Sequence, residues 1–553
     1  MSTFTKLLDT PLAKRAAQWM TDHRGFVVAT TALPASFAFE RVRVARDRLY
    51  ERFGAAPEKH GERVARVQEQ VRAWKAAGSE QPMCTGRSPW LTMSTRTSTY
   101  KEDCNRIEMD LRDILELDTD RMTVRVEPLV NMGQLSRYLV PLGYALKVMV
   151  EMEDLTAGGL AMGLGMETTS HRYGLLQETV VAYELVMADG SWRRVTKESD
   201  PELFHALPWS HGTLGLLVAL ELQVEPVKKY LRMKYTPCHS MDDLCSQMYD
   251  LSVADDAPEF LEATIYSRET GVIMSGWYDD TPPKRSNVNP INRWYKPFWY
   301  RHAETALEDG EFEEWIPLRD YYHRHTRSIF WELEELMPFA ARPLWRYTLG
   351  WLGAPKISLL KKTMTEGVRH KLVHKHVVQD VIVPMKELGG AVDLFHERFE
   401  VYPLLVFPIR IYDHTPYQGL QPKPRQTEPG KSWQMYVDLG AYGIPPAVKR
   451  GEDWDCADHV ADTERYTVDV GGFVPLYQDV WMGRDDFERM LDHGLYRKLR
   501  EKLGAIGAFP EIWDKVRLQP ELRGARAKAT TDGDAAVPDE GASLGSAAAT
   551  AAE

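Results

Sequence analysis

Cysteine is scarce and unpaired in this chain: 553 residues hold five, at positions 84, 104, 238, 245 and 456, with no Cys-x-x-Cys spacing among them. An odd, scattered set excludes a disulfide framework and a zinc ribbon, and fits thiols kept reduced as small buried hydrophobes or free surface groups. Long apolar runs are missing as well. Met1 to Arg24 is polar and charged, without the apolar centre of a secretory signal. Phe26 to Phe39 comes nearest to a span, but it is 14 residues long and broken by Thr30, Thr31, Pro34 and Ser36. That falls short of the ~20 apolar residues that cross a bilayer. Positive charge is also in deficit, 68 Lys and Arg against 80 Asp and Glu for a net −12, which excludes the broad basic face of a nucleic-acid partner. No Gly-x-x-x-x-Gly-Lys-Ser/Thr occurs. Gly163-Leu164-Gly165 reaches Thr168 where a third glycine would complete a Rossmann fingerprint, so both common nucleotide motifs fall away.

What the chain does have is a glycine-dense stretch, Asp154-Leu155-Thr156-Ala157-Gly158-Gly159-Leu160-Ala161-Met162-Gly163-Leu164-Gly165-Met166-Glu167-Thr168. Glycine carries no Cβ, so a backbone of this kind can approach a flat or charged ligand closely. Ser170, His171 and Gly174 lead from it to an apolar strand over 180–188, closed by an Asp189-Gly190 hairpin turn. A second strand from Trp192, a helix start at Asp200 and the turn Gly212-Thr213-Leu214-Gly215 before a strand over 216–224 complete the unit. Upstream, Val64, Val67, Val71 and Trp74 recur at helical spacing. Met122 to Val126 alternates as a strand, and Met132 to Leu142 reads as a helix stopped by Gly143.

This order resembles the FAD-binding domain of the vanillyl-alcohol oxidase and p-cresol methylhydroxylase superfamily. The stretches Cys84-Thr85-Gly86-Arg87-Ser88-Pro89-Trp90, Ala182-Tyr183-Glu184-Leu185-Val186 and 317–333 narrow it: the chain is similar to the Δ24-sterol reductase, or Diminuto, family over about residues 60 to 515. The resemblance implies an α+β fold, a two-lobed FAD-binding domain of the p-cresol methylhydroxylase type plus an α+β substrate (cap) domain. It implies FAD as cofactor, NADPH as electron donor and a sterol as substrate, reduced at its C24=C25 bond in sterol biosynthesis. Thr85, Gly86, Arg87 and Ser88, the whole run Thr156 to Thr168, then Ser170, His171, Gly174, Gly212 and Gly215 are the expected FAD contacts. Backbone N–H groups around Gly86 would meet the pyrophosphate. Many superfamily members attach FAD through a first-loop histidine, and none occurs here between His60 and His171. Dissociable FAD is the expectation, unless His171 or a more distant histidine makes the bond.

The resemblance implies a division into an N-terminal helical segment (1–57), the FAD-binding domain (58–226), a cap (227–430) and a C-terminal portion completing the site (431–520), followed by a polar, Ala-rich tail (521–553) expected to be disordered. The basic stretch Glu40 to Tyr50 either lies on an anionic membrane surface or packs as an ordinary amphipathic helix. A cytoplasmic protein is expected, with peripheral attachment to a membrane (the endoplasmic reticulum in the eukaryotic family) left open; the sequence sets no oligomeric state. Strands are predicted at Glu262–Ser267, Val272–Trp277 and Met435–Leu439, an extended piece at Phe473–Tyr477, and a helix over Asp485–Leu503. The dense group around Arg319–Arg327 supplies candidate proton donors, Tyr321, Tyr322, His323 and His325, with Tyr321, Arg324 and His325 on one helix face. A salt-bridged surface segment is the rival reading there. Tyr442, Tyr477 and Tyr496 lie near other family-like pieces. Two further functions stay open: a flavin oxidase of an alcohol or lactone using oxygen, and a sterol-binding protein whose flavin site has decayed.

Overall fold

The computed structural model describes residues 24–78, 80–93, 96, 98–363, 369 and 373–518. The tail expected at 521–553, and residues 1–23 of the N-terminal segment, lie outside the described residues. The helix His60–Ala76 buries Val64, Val67 and Val71, as their spacing predicts. It packs on a parallel pair, β1 (Met83–Thr85) and β2 (Asn105–Ile107). From its first turns Arg63 reaches Glu127 at 2.7 Å and Asp113 at 2.9 Å, which fastens the helix to the neighbouring lobe.

That lobe is a mainly antiparallel sheet of β3 (Ile114–Asp118), β4 (Thr123–Val126), β5 (Tyr144–Leu146), β6 (Val180–Val186), β7 (Trp192–Thr196) and β8 (Leu216–Pro226), in the order β3-β4-β8-β6-β7 with β5 on β8. The hairpin between β6 and β7 falls at Asp189-Gly190, where Gly190 adopts φ 80° and donates to the Met187 carbonyl at 2.9 Å.

A larger antiparallel sheet follows: β9 (Tyr230–Cys238), β10 (Phe260–Ile265), β11 (Gly271–Asp279), β12 (Phe312–Pro317), β13 (Val377–Pro384), β14 (Leu404–Tyr412) and β15 (Trp433–Gly443), ordered β12-β9-β11-β10-β14-β15-β13. Alternation assigns its two faces. Val377, Val381 and Val383 on β13, with Val437, Leu439 and Ala441 on β15, join the helices Met241–Val253, Leu388–Arg398 and Cys456–Asp469 in one apolar core. Val378, Asp380, Asp438, Gly440 and Tyr442 occupy the alternate positions and so face the first half of the chain. The fold is thus α+β.

The helix predicted over Asp485–Leu503 is two, Arg484–Met490 and Gly494–Lys502, because Leu491 turns extended between them. The second returns to the glycine-rich lobe, where the Tyr496 hydroxyl meets Thr213 Oγ1 at 2.7 Å. The basic stretch near the N-terminus lies on the helix Leu33–Leu49, docked on its own protein through Arg43, 2.7 Å from Asp154. Among the described residues no helix is long and apolar enough to cross a membrane.

Candidate functional site

A cavity of about 1990 Å³ lies between the glycine-rich lobe and the inward face of the larger sheet. Pockets for single drug-sized ligands hold roughly 300–1,000 Å³, so this one has room for a large cofactor and a second molecule together. Thr85, Gly86, Arg87, Ser88, Thr156, Gly158, Gly159, Leu160, Met162, Gly163, Leu164, Gly165, Met166, Gly212 and Gly215 all line it. Ala157, Ala161, Glu167, Thr168, Ser170, His171 and Gly174 stand behind this wall, outside the lining. His171 Nε2 meets the Pro258 carbonyl at 2.8 Å, and the imidazoles that line the cavity are those of His211 and His376.

Two of the glycines have a reason the sequence did not suggest. A Cβ on Gly158 would stand 2.5 Å from Pro128 Cβ, and one on Gly165 would stand 2.8 Å from Leu176 Cβ. Both let the protein close on itself, which brings their backbone to the cavity. The Gly86 N–H, expected to meet phosphate, is instead given to the Ile107 carbonyl at 2.7 Å.

Cations crowd the same wall. Lys101 Nζ donates to the carbonyls of Thr85 (2.8 Å) and Arg87 (2.7 Å), Arg87 to Thr156 Oγ1 (3.2 Å), and Lys515 to the His211 carbonyl. Arg96 and Lys361 line the cavity beside them. Burial, then Arg369 and Arg96, pulls the Lys361 ammonium down to about 8; burial, then Lys101, pulls Lys515 to about 7.

The opposite wall carries acid. Asp380 is fully buried and accepts from the Tyr442 hydroxyl at 2.5 Å and from the Tyr477 hydroxyl, while its N–H donates to Gln478 Oε1 at 2.9 Å. Asp380, Tyr442, Tyr477 and Gln478 all line the cavity. Burial raises the Asp380 carboxyl to about 6 despite the two phenols that favour its ionised form. Nearby, burial drives Asp438 and Glu151 well above the carboxylate range; Asp380 pushes Asp438 further up, and Glu167 does the same to Glu151. Among the described residues neither Asp438 oxygen has a hydrogen-bond partner.

Gly440 makes room for this set, since a Cβ there would stand 2.4 Å from Asp380 Oδ1 and 2.7 Å from the Tyr442 hydroxyl. Gly440→Ala should therefore split the Asp380–Tyr442 bond and lower turnover about a hundredfold, the scale of an ångström-sized misplacement. An unchanged thermal unfolding midpoint beside an unchanged rate would refute that.

Ile329 and Phe330 also line the cavity, both left-handed at φ 50° and 58°. Such backbone is rare for non-glycine residues and rarest for β-branched ones, so the surrounding packing must hold it. It presents Phe330 to Tyr442, ring centroids 5.0 Å apart.

None of the four candidate donors near residue 320 lines the cavity. The helix that carries Tyr321 and Tyr322 ends at Tyr322, before His323 and His325, so Tyr321 and His325 do not share a helical face. Tyr321 donates to Glu262 Oε1 at 2.9 Å, and the Tyr322 hydroxyl lies 3.2 Å from that of Tyr278. His323 sits between Ser136 Oγ (2.7 Å) and the Glu151 carbonyl (3.0 Å). His325 stacks on Phe330 at 4.5 Å, with burial holding it well below the usual imidazole range. These residues support the cavity from behind.

Comparison with known proteins agrees with this geometry. Residues 63–196 match the family described as an FAD binding domain. The Delta(24)-sterol reductase of Homo sapiens is 43% identical over 91% of this chain and 95% of its own. That of Arabidopsis thaliana is 38% identical over 92% of this chain and 95% of its own. The L-gulonolactone oxidase of Bos taurus is 33% identical over only 20% of this chain and 26% of its own. The chain belongs to the Delta(24)-sterol reductase family.

Proposed function

We propose that the cavity binds FAD along its glycine-rich, cationic wall and a sterol along the inward face of the larger sheet. The protein is an FAD-dependent sterol reductase acting on the C24=C25 side-chain bond, with NADPH as electron donor. Residues 58–226 form the FAD-binding domain in this reading, 227–430 the cap, and 431–520 the portion that closes the site. The enzyme works in the cytoplasm at a membrane surface.

The fit to FAD rests on charge and shape. Lys361 and Lys515 lie below the ordinary ammonium range because burial strips them of water and neighbouring cations add to the cost, and a pyrophosphate among Arg87, Lys101 and Lys515 would offset both. Gly159 and Gly212 leave open space toward which a flat ring can close, with only Thr156 Oγ1 within 3.0 Å of a Cβ on Gly159. No cavity-lining imidazole comes from the first loop, in keeping with dissociable cofactor.

When bound, FAD supplies the hydride. The chain must supply a proton, since an isolated alkene has no carbonyl to take up negative charge. Proton delivery to C24 leaves positive charge on tertiary C25. Asp380 is the acid in this reading: it lines the cavity, and its carboxyl lies nearer neutrality than those of Asp438 and Glu151, which hold their protons more firmly. Tyr442 and Tyr477 aim it, and the faces of Phe330, Phe407 and Tyr442 stabilise charge growing at C25. Val378 shares the inward face of β13 with Asp380, and His376, directly before that strand, also lines the cavity. The His376 imidazole is paired to Glu332 at 2.8 Å, a polar end for the sterol hydroxyl opposite the reacting carbons.

The observation that carries this proposal is the Asp380–Tyr442–Tyr477 set opening into a large, mostly apolar cavity. An anaerobic absorbance titration of FAD-loaded protein with NADPH, then desmosterol, tests it. Loss of the flavin band with NADPH and its return with formation of a saturated side chain is the expected result. A band that NADPH leaves unchanged, but that an alcohol bleaches and air restores, would replace the reductase by an oxidase.

A further inference from the structure

We infer that the surface formed by residues 342–352 and the neighbouring Trp294 docks on an anionic lipid bilayer and admits the sterol from it. The inference rests on the sterol as substrate. Between Glu335 and Glu366 the sequence has no acidic residue but five basic ones, Arg342, Arg346, Lys356, Lys361 and Lys362, in a chain whose net charge is −12. The segment folds as the helix Pro343–Thr348 and the turn Gly350–Leu352. Leu344 is 78% exposed, Tyr347 62% and Trp351 45%, with Leu349 and Trp294 exposed beside them.

These side chains are gathered by contact. Tyr347 stacks on Tyr295 at 6.2 Å, Trp351 meets Phe37 edge-on at 5.0 Å, and the Gly350 Cβ position lies 2.9 Å from the Trp294 carbonyl. Exposed cations rim the patch: Arg342, Arg293 and Lys362, with Arg41 set over the Phe37 ring at 4.7 Å. Acids on the neighbouring elements are engaged: Glu40 with Arg43 and Lys356, Asp154 with the same two cations, and Asp320 with the Asn292 N–H beside Arg293.

Leucine, tryptophan and tyrosine among arginine and lysine is the composition of an interfacial surface: the aromatic bodies enter the headgroup boundary and the cations meet anionic lipid. The patch also leads to the site. Directly after Trp351 and Leu352, the chain supplies Pro355, Ile357 and Leu360 to the cavity wall. A sterol leaving a leaflet would pass along one continuous apolar segment into the cavity. The helix Leu33–Leu49, for which the sequence leaves open both membrane contact and packing on its own protein, contributes Phe37 and Arg41 to this surface and keeps Arg43 turned inward.

The test is co-sedimentation of the full chain, FAD-loaded, with phosphatidylcholine vesicles and with vesicles containing one-quarter phosphatidylserine. Wild type should pellet with the anionic vesicles and far less with the neutral ones. Leu344→Asp combined with Tyr347→Ser should weaken pelleting by about tenfold or more, the scale of losing one buried apolar side chain. Turnover of vesicle-borne sterol should fall alike, while turnover of detergent-solubilised sterol stays unchanged, since neither residue lines the cavity. Failure of wild type to pellet with either vesicle overturns the inference. So does equal pelleting of the variant, or a self-association lost in the variant without vesicle binding, which would make a second copy the occupant. Vesicle binding is read without turnover, so a protein that pellets yet reduces no sterol in detergent would overturn the assigned reaction and leave the docking surface standing.

Discussion

Asp380→Asn should lower sterol reduction by about a hundredfold to ten-thousandfold, the usual weight of a positioned acid, with FAD still bound and the protein still folded. The substitution keeps shape and two hydrogen-bonding positions for Tyr442 and Tyr477, and removes the transferable proton. In the wild type the carboxyl sits at about 6, so the fraction able to donate shrinks as pH rises through that value. Single-turnover rates should accordingly fall above pH 6 in the wild type and stay flat in the variant. Stability runs in a definite direction too. A carboxyl whose folded pKa is raised contributes stability fully present below its unfolded pKa of about 4 and lost as pH rises through the folded value. The asparagine variant escapes that loss, so its denaturation midpoint relative to wild type should improve between pH 4 and 7. A variant that loses no more than a few-fold in rate, or whose pH profile keeps the wild-type fall, would remove Asp380 from the reaction. Tyr477→Phe should do less than Asp380→Asn, because Tyr442 still holds the carboxyl.

Much of the first wall was legible because its signals are local. The glycine run, the Asp189-Gly190 turn and the Val64–Val67–Val71 spacing each depend on residues close in sequence; the turn and the helix appear at their expected places, and the glycine run lines the cavity in part. The acid wall was not legible for the opposite reason. Asp380 sits in Val-Val-Gln-Asp-Val-Ile-Val-Pro, which reads as a buried apolar strand, and its partners lie 62 and 97 residues away. One signal was present: a lone acid in such a strand is costly unless something distant compensates it. Tyr442 and Tyr477 were noticed, but only the pairing of β13 with β15 joins Tyr442 to that strand. The Arg319–Arg327 group misled through density. Its helix stops at Tyr322, and the turn beyond sends Arg324 and His325 into separate contacts that periodicity alone does not foresee.

Arg324→Met should cost about 3–5 kcal/mol of stability, the range for stripping one partner from a buried ion pair. The guanidinium is wholly buried, 2.9 Å from Glu167 Oε1 and 3.0 Å from Glu262 Oε1. Glu167 belongs to the glycine-rich stretch and Glu262 to β10, so this one side chain ties the two walls of the cavity together. Burial opposes its charge, and Glu167 and Glu262 outweigh that opposition, leaving the arginine firmly protonated. Glu262 lies above the ordinary carboxylate range even with Arg324 present, because burial exceeds the arginine's pull. Without the cation Glu262 must hold a proton to remain buried. Stability gained from a raised carboxyl is complete below about pH 4 and vanishes as pH climbs through its folded pKa. The gap between wild type and variant in guanidinium-induced unfolding should therefore be narrow near pH 4 and widest above neutrality. Adding Glu262→Gln to Arg324→Met should recover part of the loss at pH 7, since a neutral amide needs no counter-charge. A gap that ignores pH, with no recovery from Glu262→Gln, would show that Arg324 acts through the packing of its stem and not through its charge.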